Sequence, residues 1–580
     1  LLILQITKKI STTKFKTCMK SIAKLLLTAL TVSILLAGCS NKTEKMEQEL
    51  KDFITNWEQK VEPLQKAAYT AYWDASISGR DEDYARSEQL QFQLSSIYTN
   101  ADDYALLKKI KESGAVADTL LKRQLDVLYS AYLSNQIDTA LLAKRIKMEV
   151  EIEKKYSNFR AEVNGKQLSD NDVEDVLKTS VNSDELRAAW EGHKKVGALV
   201  SADIIELVKL RNQIAQSLGF KNYHAMSLEL SEQNPEDISK LFDELDLLTR
   251  DAFAGLKDEI DTYLVNRLKI TKEELMPWHY QNRFFQEAPA IYSADLDKYY
   301  VNQNIEKLTT DYYASIGLDI TDMLQNSDLY EKPGKNQHAY CIDIDNAGDV
   351  RILCNIKPNY NWMNTMMHEF GHGVYDKYID RNLPFSLRNP AHTFTTEAIA
   401  MIFGRMAANP AWMQDMGLID SAGRAAVAED AWKVLRLEQL TFSRWAQVMY
   451  RFEKSMYENP DQDLNALWWT LVEKYQMIKK PENRNEPDWA SKIHIATSPC
   501  YYHNYLLGEL LASQLNHYIT ANIIGSDDFR YQSFYGSKET GEYLTEKVFK
   551  PGALYYWNDM IEKATGEKLT ARHYADQFVN

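Results

Sequence analysis

Apolar residues recur every third or fourth position through most of the chain beyond residue 46, as from Ser201 to Leu218 and from Leu435 to Tyr457. These stretches are rich in Leu, Ala, Glu and Lys, and the period puts the apolar positions on one stripe of a helix. A mainly α fold is predicted. One interval breaks the pattern: Tyr340-Cys341-Ile342-Asp343-Ile344-Asp345 alternates, Asn346-Ala347-Gly348 supplies turn residues, and Val350 to Cys354 returns. That alternation predicts a β-hairpin. Centred near residue 347, it sets Cys341 opposite Cys354 and so proposes a disulfide, worth about 3 kcal/mol by chain entropy in an oxidising compartment. Two reduced buried thiols are the other reading. With no low-complexity linker, internal repeat or Pro/Gly cluster, residues 46–580 read as a single helical domain.

The amino terminus follows different rules. The first 43 residues contain no Asp or Glu, Met19 opens a lysine-bearing segment, and Leu25 to Leu36 is apolar. This is the layout of a secretory signal, and about 12 apolar residues fall short of the roughly 20 that span a bilayer as a helix. The ending Leu36-Ala37-Gly38-Cys39 resembles the lipobox of bacterial lipoproteins. The expectation is a signal peptide over 1–38 with Met19 as initiator, lipid on Cys39 and a linker over 39–45. The mature protein would then be exported and held on the periplasmic or surface side of a bacterial membrane. With Cys39 lipidated and Cys18 removed, Cys500 is left unpaired. Charge bears on partners: 67 basic residues face 82 acidic ones, and loss of 1–38 would take the formal charge from −15 to −21. No dense basic run follows, which argues against nucleic-acid binding.

Chemistry concentrates at Met367-His368-Glu369-Phe370-Gly371-His372. Residues four apart share a helix face, so both imidazoles can aim at one ion while Glu369 reaches a water activated there. Zinc suits this donor set, lowering the water's pKa towards ~7, and the glutamate can carry its proton to a leaving amine. A catalytic zinc takes a third protein ligand, either carboxylate or imidazole. Glu397, 25 residues after His372, opens an apolar helical run behind threonines able to cap it. A returning helix would bring it beside the pair.

Several stretches, in order, resemble the angiotensin-converting enzyme family of zinc peptidyl-dipeptidases: Leu329-Tyr330-Glu331-Lys332-Pro333, Asp349-Val350-Arg351-Ile352, His368 to Tyr375, Ser386-Leu387-Arg388-Asn389 with Glu397-Ala398-Ile399, and Lys492-Ile493-His494-Ile495. The likeness runs from about residue 180 to 520. It implies a large two-lobed helical fold around a deep, lidded central cleft with a small hairpin near the active site. The activity implied is release of dipeptides from the free carboxyl ends of oligopeptides, with one Zn2+ per chain. His368, His372 and Glu397 would then hold zinc, and Glu369 would be the base. The segment from Lys492 to Tyr505 looks like the family's strand ending in two tyrosines; with one residue inserted, Tyr502 and Tyr505 take those places. Tyr505 would donate to the oxyanion, His494 would hold the peptide carbonyl, and Gln281, Lys492 and Tyr502 would clamp the terminal carboxylate. An edge near Asp343 could pair with an extended substrate. Three positions depart from the family pattern. Met401 replaces an acid that orients a zinc histidine, Ile342 replaces a histidine, and Asn504 stands where animal members carry a chloride-binding arginine, so chloride dependence is expected to be weak or absent. A related zinc oligoendopeptidase or carboxypeptidase, or an inactive peptide-binding surface lipoprotein, are the alternatives.

Overall fold

The computed structural model describes Lys24, residues 42–292 and residues 295–579. Residues 1–23 and 25–41, with the signal segment, Cys18 and the lipidation candidate Cys39, lie outside the described residues. Helices hold most of what is described, and both stretches with the 3.6-residue period are helical as predicted. The site is framed by α1 (42–78), α2 (Ser183–Ser217), α3 (Pro235–Leu268), α4 (Tyr360–Tyr378), α5 (Thr393–Met406), α6 (Ser421–Glu458), α7 (His503–Tyr518) and α8 (Arg572–Phe578). Side chains from the sequence start them: Asn182 caps α2, accepting from the N–H groups of Asp184 and Glu185, and Asn234 caps α3 with Pro235 following. No helix among the described residues is long and apolar enough to cross a membrane.

A main core runs from Ile152 to Phe578 and gathers the buried faces of α2 to α8. The first helices make a smaller core, in which Leu50, Trp57 and Val61 of α1 meet Leu107, Leu125, Tyr132 and Phe385. Further along α1, Trp73 packs on Ile344 and Leu353 of the hairpin.

Two antiparallel hairpins are present among the described residues. The first, β1 (Ala161–Val163) with β2 (Lys166–Leu168), was not anticipated, although Asn164 and Gly165, both at positive φ, form the two-residue turn that such a dipeptide favours. The second, β3 (Tyr340–Asp343) with β4 (Val350–Leu353), is the predicted one, but its register is shifted: Cys341 faces Ile352 rather than Cys354. The expected disulfide is not made, and Cys341, Cys354 and Cys500 are free thiols. The turn explains the shift. Asp345 accepts from the N–H groups of Ala347 and Asp349, Asn346 takes φ 48°, and Ile344 N–H closes onto Asp349. Cys354 then lies past the paired strand, where its N–H donates to Asp328 O at 3.0 Å and its carbonyl accepts from Lys335.

Candidate active site

The two histidines of α4 acquire their partner because α5 packs directly against them. Gly371 makes this possible: a Cβ there would lie 2.7 Å from Ala400 Cα, closer than two helix backbones carrying side chains can approach. Helix α5 starts differently from expectation. His392, not a threonine, is the cap, its Nδ1 accepting from Phe394 N–H while Thr395 Oγ1 accepts from His392 N–H. Glu397 consequently lies one turn inside α5, facing α4.

His368 Nε2 lies 3.8 Å and His372 Nε2 3.9 Å from Glu397 Oε2. All three donor atoms fall within 4.8 Å of one another, and the imidazole centroids are 4.9 Å apart at 82°. Bonds of about 2.1 Å in a tetrahedron need donors roughly 3.4 Å apart. The two histidine–carboxylate separations exceed this by only about half an ångström, so the donor set fits zinc. Burial lowers His368 to about 4 and His372 to about 3, so both rings are neutral, the form that ligates. His372 Nδ1 is 2.8 Å from Thr396 Oγ1. Thr396 thus supplies the orienting contact that Met401 cannot make. Glu369 is 8% exposed, and burial, reinforced by Glu397, raises its carboxyl to about 8.

The cluster lies between two cavities, and His368 lines both. One, of about 810 Å³, is bounded by β3, by Glu369 and Glu397, and by Tyr69 and Tyr72 of α1. The other, of about 500 Å³, is bounded by Tyr360, Asn364, Met401, Arg405 and Glu438. Among the described residues strand β3 pairs only with β4, so its second edge is available at the first cavity. Asp343 and Asp376 both line this cavity. Arg381 donates to the Asp343 carboxylate but reaches Asp376 only at its backbone carbonyl. Burial, then Asp343, raises Asp376 to about 8.

The segment from residue 488 to 505 is not the strand expected from the resemblance. It is a 3-10 turn over Asp488–Ser491, an extended Lys492 and a single helical turn over His494–Thr497 leading into α7. It lies close on α2 because Gly197 has no side chain; a Cβ there would meet Pro487 O at 2.3 Å. Arg211 fixes the other end, donating to the carbonyls of Ile495 and Ala496 while pairing with Glu149 at 2.8 Å.

Lys492 is 6% exposed, and its ammonium donates at 2.5 Å to the side-chain oxygen of Gln286, with the rings of Phe284, Trp445 and Tyr502 at 5.2 to 5.4 Å. Burial lowers it to about 8. Gln281 is not beside it. At φ 58° its amide turns away and donates to Lys178 O at 2.9 Å, so Gln286 takes the place expected for Gln281. Tyr502 stacks edge-on with His494 at 5.4 Å and with Tyr505 at 5.4 Å. Burial, then Lys492, lowers His494 to about 4, leaving a neutral ring whose Nδ1 has no protein partner. Tyr505 and also Tyr501 feel the Glu397 carboxylate, which adds to burial in raising both hydroxyls and keeps them donors. Tyr501 as well as Tyr502 packs on Tyr505, with centroids 5.3 and 5.4 Å away, so both tyrosines considered for the first place adjoin it. Gln286 beside Lys492 and Thr396 beside His372 were not anticipated.

Helices packed round paired imidazoles, a carboxylate and a buried glutamate define a metallopeptidase. The family model for angiotensin-converting enzyme matches residues 44–576. The chain belongs to that family, peptidase family M2. It is 24% identical to an angiotensin-converting enzyme of Theromyzon tessulatum over 70% of each chain. It is 23% identical to the Mesocricetus auratus enzyme over 68% of this chain but only 32% of the relative. A Carboxypeptidase 1 of Bacillus subtilis is 25% identical over 42% of this chain and 52% of its own.

Proposed function

We propose that the protein is an exported, lipid-anchored zinc peptidyl-dipeptidase that removes dipeptides from the free carboxyl ends of oligopeptides. Lys492 carries the carboxyl-end specificity. An ammonium this buried, with an amide as its close partner, is a cation awaiting an anion, and a peptide's terminal carboxylate is that anion. Gln286 and Tyr502 complete the clamp. The substrate runs from there past the metal ligands to the edge of β3, which can hydrogen-bond its extended backbone.

His368, His372 and Glu397 would hold a zinc ion, which would supply Lewis acidity towards the scissile carbonyl and the attacking water. Glu369 takes the proton of that water and passes it to the departing amine. Tyr505, protonated and beside Glu397, donates to the oxygen that gains negative charge. His494, neutral, donates to a neighbouring peptide carbonyl. On the amine side, Arg381 pairs with the Asp343 carboxylate and meets Asp376 only at its backbone carbonyl, which favours a substrate with a basic side chain; such a cation would draw the proton from Asp376. Asn504 Oδ1 accepts from Gln233, a neutral contact that gives chloride no cation, so little chloride activation is expected.

The test is mass spectrometry of products from an unmodified decapeptide, with and without chelator. A ladder descending by two residues, abolished by chelator and by Glu369→Gln, is expected. Similarity to a carboxypeptidase favours one other reading, removal of single residues, and a ladder descending by one would establish it instead.

A further inference from the structure

A second pair of imidazoles meets at the far end of α7 from Tyr505. His517 lies in the last turn of α7, and His573 and Asp576, three apart, share a face of α8. One donor atom from each of the three lies within 4.8 Å of the others. The two rings are 4.3 Å apart at 44°, and His517 is stacked on Phe529 at 4.2 Å and 14°, which fixes its plane.

The hydrogen bonds set the tautomer of His573. Its Nε2 is 2.8 Å from Glu567 Oε1, and the other oxygen of Glu567 accepts from Arg572. A carboxylate held by a guanidinium can only accept, so Nε2 carries the hydrogen and Nδ1 carries the lone pair. That Nδ1 is buried and has no hydrogen-bond partner in the protein. A buried acceptor without a donor is costly, and a cation that reaches it removes the cost. Carboxylate on one ring nitrogen and a free lone pair on the other is how proteins orient metal-binding histidines.

We propose that His517, His573 and Asp576 form a second site for a divalent transition-metal ion of the zinc type, distinct from the catalytic cluster, with Glu567 as positioning residue. Two imidazoles and one carboxylate suit zinc and its neighbours better than calcium or magnesium, which take oxygen ligands. The ion would fasten α8 to α7. The opposite face of α8 buries Tyr574 and Phe578, and α7 carries Tyr505, so the tie lies on a helix that builds the active site. The proposal does not rest on the peptidase reading and stands whether or not peptides are cut.

Metal analysis of the full chain after stripping and re-equilibration with excess zinc tests it. Two zinc ions per chain are expected in the wild type. His573→Ala and His517→Ala should each retain one zinc with dipeptide release unchanged. A His368→Ala/His372→Ala double variant should also retain one, but without turnover. Glu567→Gln should weaken the second site by about 10–100-fold. A single wild-type zinc that the His368→Ala/His372→Ala variant loses, two in His573→Ala, or none in the double variant would overturn the proposal. Should the histidine variants fail to fold, Asp576→Asn decides: weaker binding at the second site supports it, and unchanged affinity there refutes it.

Discussion

Replacing Lys492 by Met should destroy recognition of the carboxyl terminus while leaving the fold intact or firmer, and both effects follow from one burial. With the ammonium lowered to about 8 from the ~10.4 of an unfolded lysine, keeping it charged costs the native state ~3 kcal/mol. The sign is that of a base with a depressed native pKa: the cost is fully present below about pH 8 and is relieved as pH rises towards ~10.4. Methionine of similar length removes the cost, so stability to denaturant at pH 7 should hold or rise, as when unpaired buried ions are replaced by apolar groups. The substrate loses its partner, and truncating one member of a buried charge pair costs about 2–5 kcal/mol, or roughly 30- to several-thousand-fold in kcat/KM. The assay compares kcat/KM for a peptide and its carboxyl-terminal amide, in wild type and in Lys492→Met. The wild type should prefer the free acid by at least 30-fold, and the variant should treat the two alike. In the wild type that preference should fade as pH rises through about 8 and the ammonium is lost. A variant that still discriminates, or one that unfolds more readily, would refute the reasoning.

Four further outcomes are expected. Thr396→Val removes the hydroxyl beside His372 Nδ1 and should weaken zinc affinity by about 10–100-fold in a chelator competition. Gly371→Ala drives a methyl into Ala400 Cα and should cost about 1–3 kcal/mol or more in denaturant unfolding, with zinc affinity falling as Glu397 is displaced. Peptides with Arg on the amine side of the scissile bond should be cut faster than Gln analogues, and Asp376→Asn should reduce that preference several-fold with little effect on the Gln peptides. Alkylation of the denatured, unreduced protein should label Cys341, Cys354 and Cys500 alike; protection of the first two would restore the disulfide.

What the sequence disclosed and what it hid divide along the range of the interactions. The long helices and the pair His368 and His372 depend on neighbours three or four residues away, so periodicity reveals them. The existence of the β3–β4 hairpin is equally local. Its register is not: Asp328, outside the hairpin, takes the N–H of Cys354, and the Asp345 carboxylate draws the turn back by one position. Gln286 was hidden because Gln281 and Phe285 both take positive φ, and a chain that reverses twice within five residues has no period to read. The β1–β2 hairpin shows the opposite failure, since its Asn-Gly turn is a local signal that the helical pattern around it masked.

The carboxylate of the candidate metal cluster is the informative case, because Glu397 is remote from the histidines in sequence and yet lies beside them. Spacing alone gives no reason for this glutamate over others nearby. The reason lies between the histidines, where Gly371 is the position at which α5 touches α4. Any side chain there would hold Ala400, and with it Glu397, away from the two rings. A glycine costs helix stability of up to about 1 kcal/mol relative to alanine, so its place in a buried helix needs a packing reason. Close approach of the returning helix is that reason. The motif therefore contains, besides two candidate ligands and a candidate base, the contact that brings the remote carboxylate beside them.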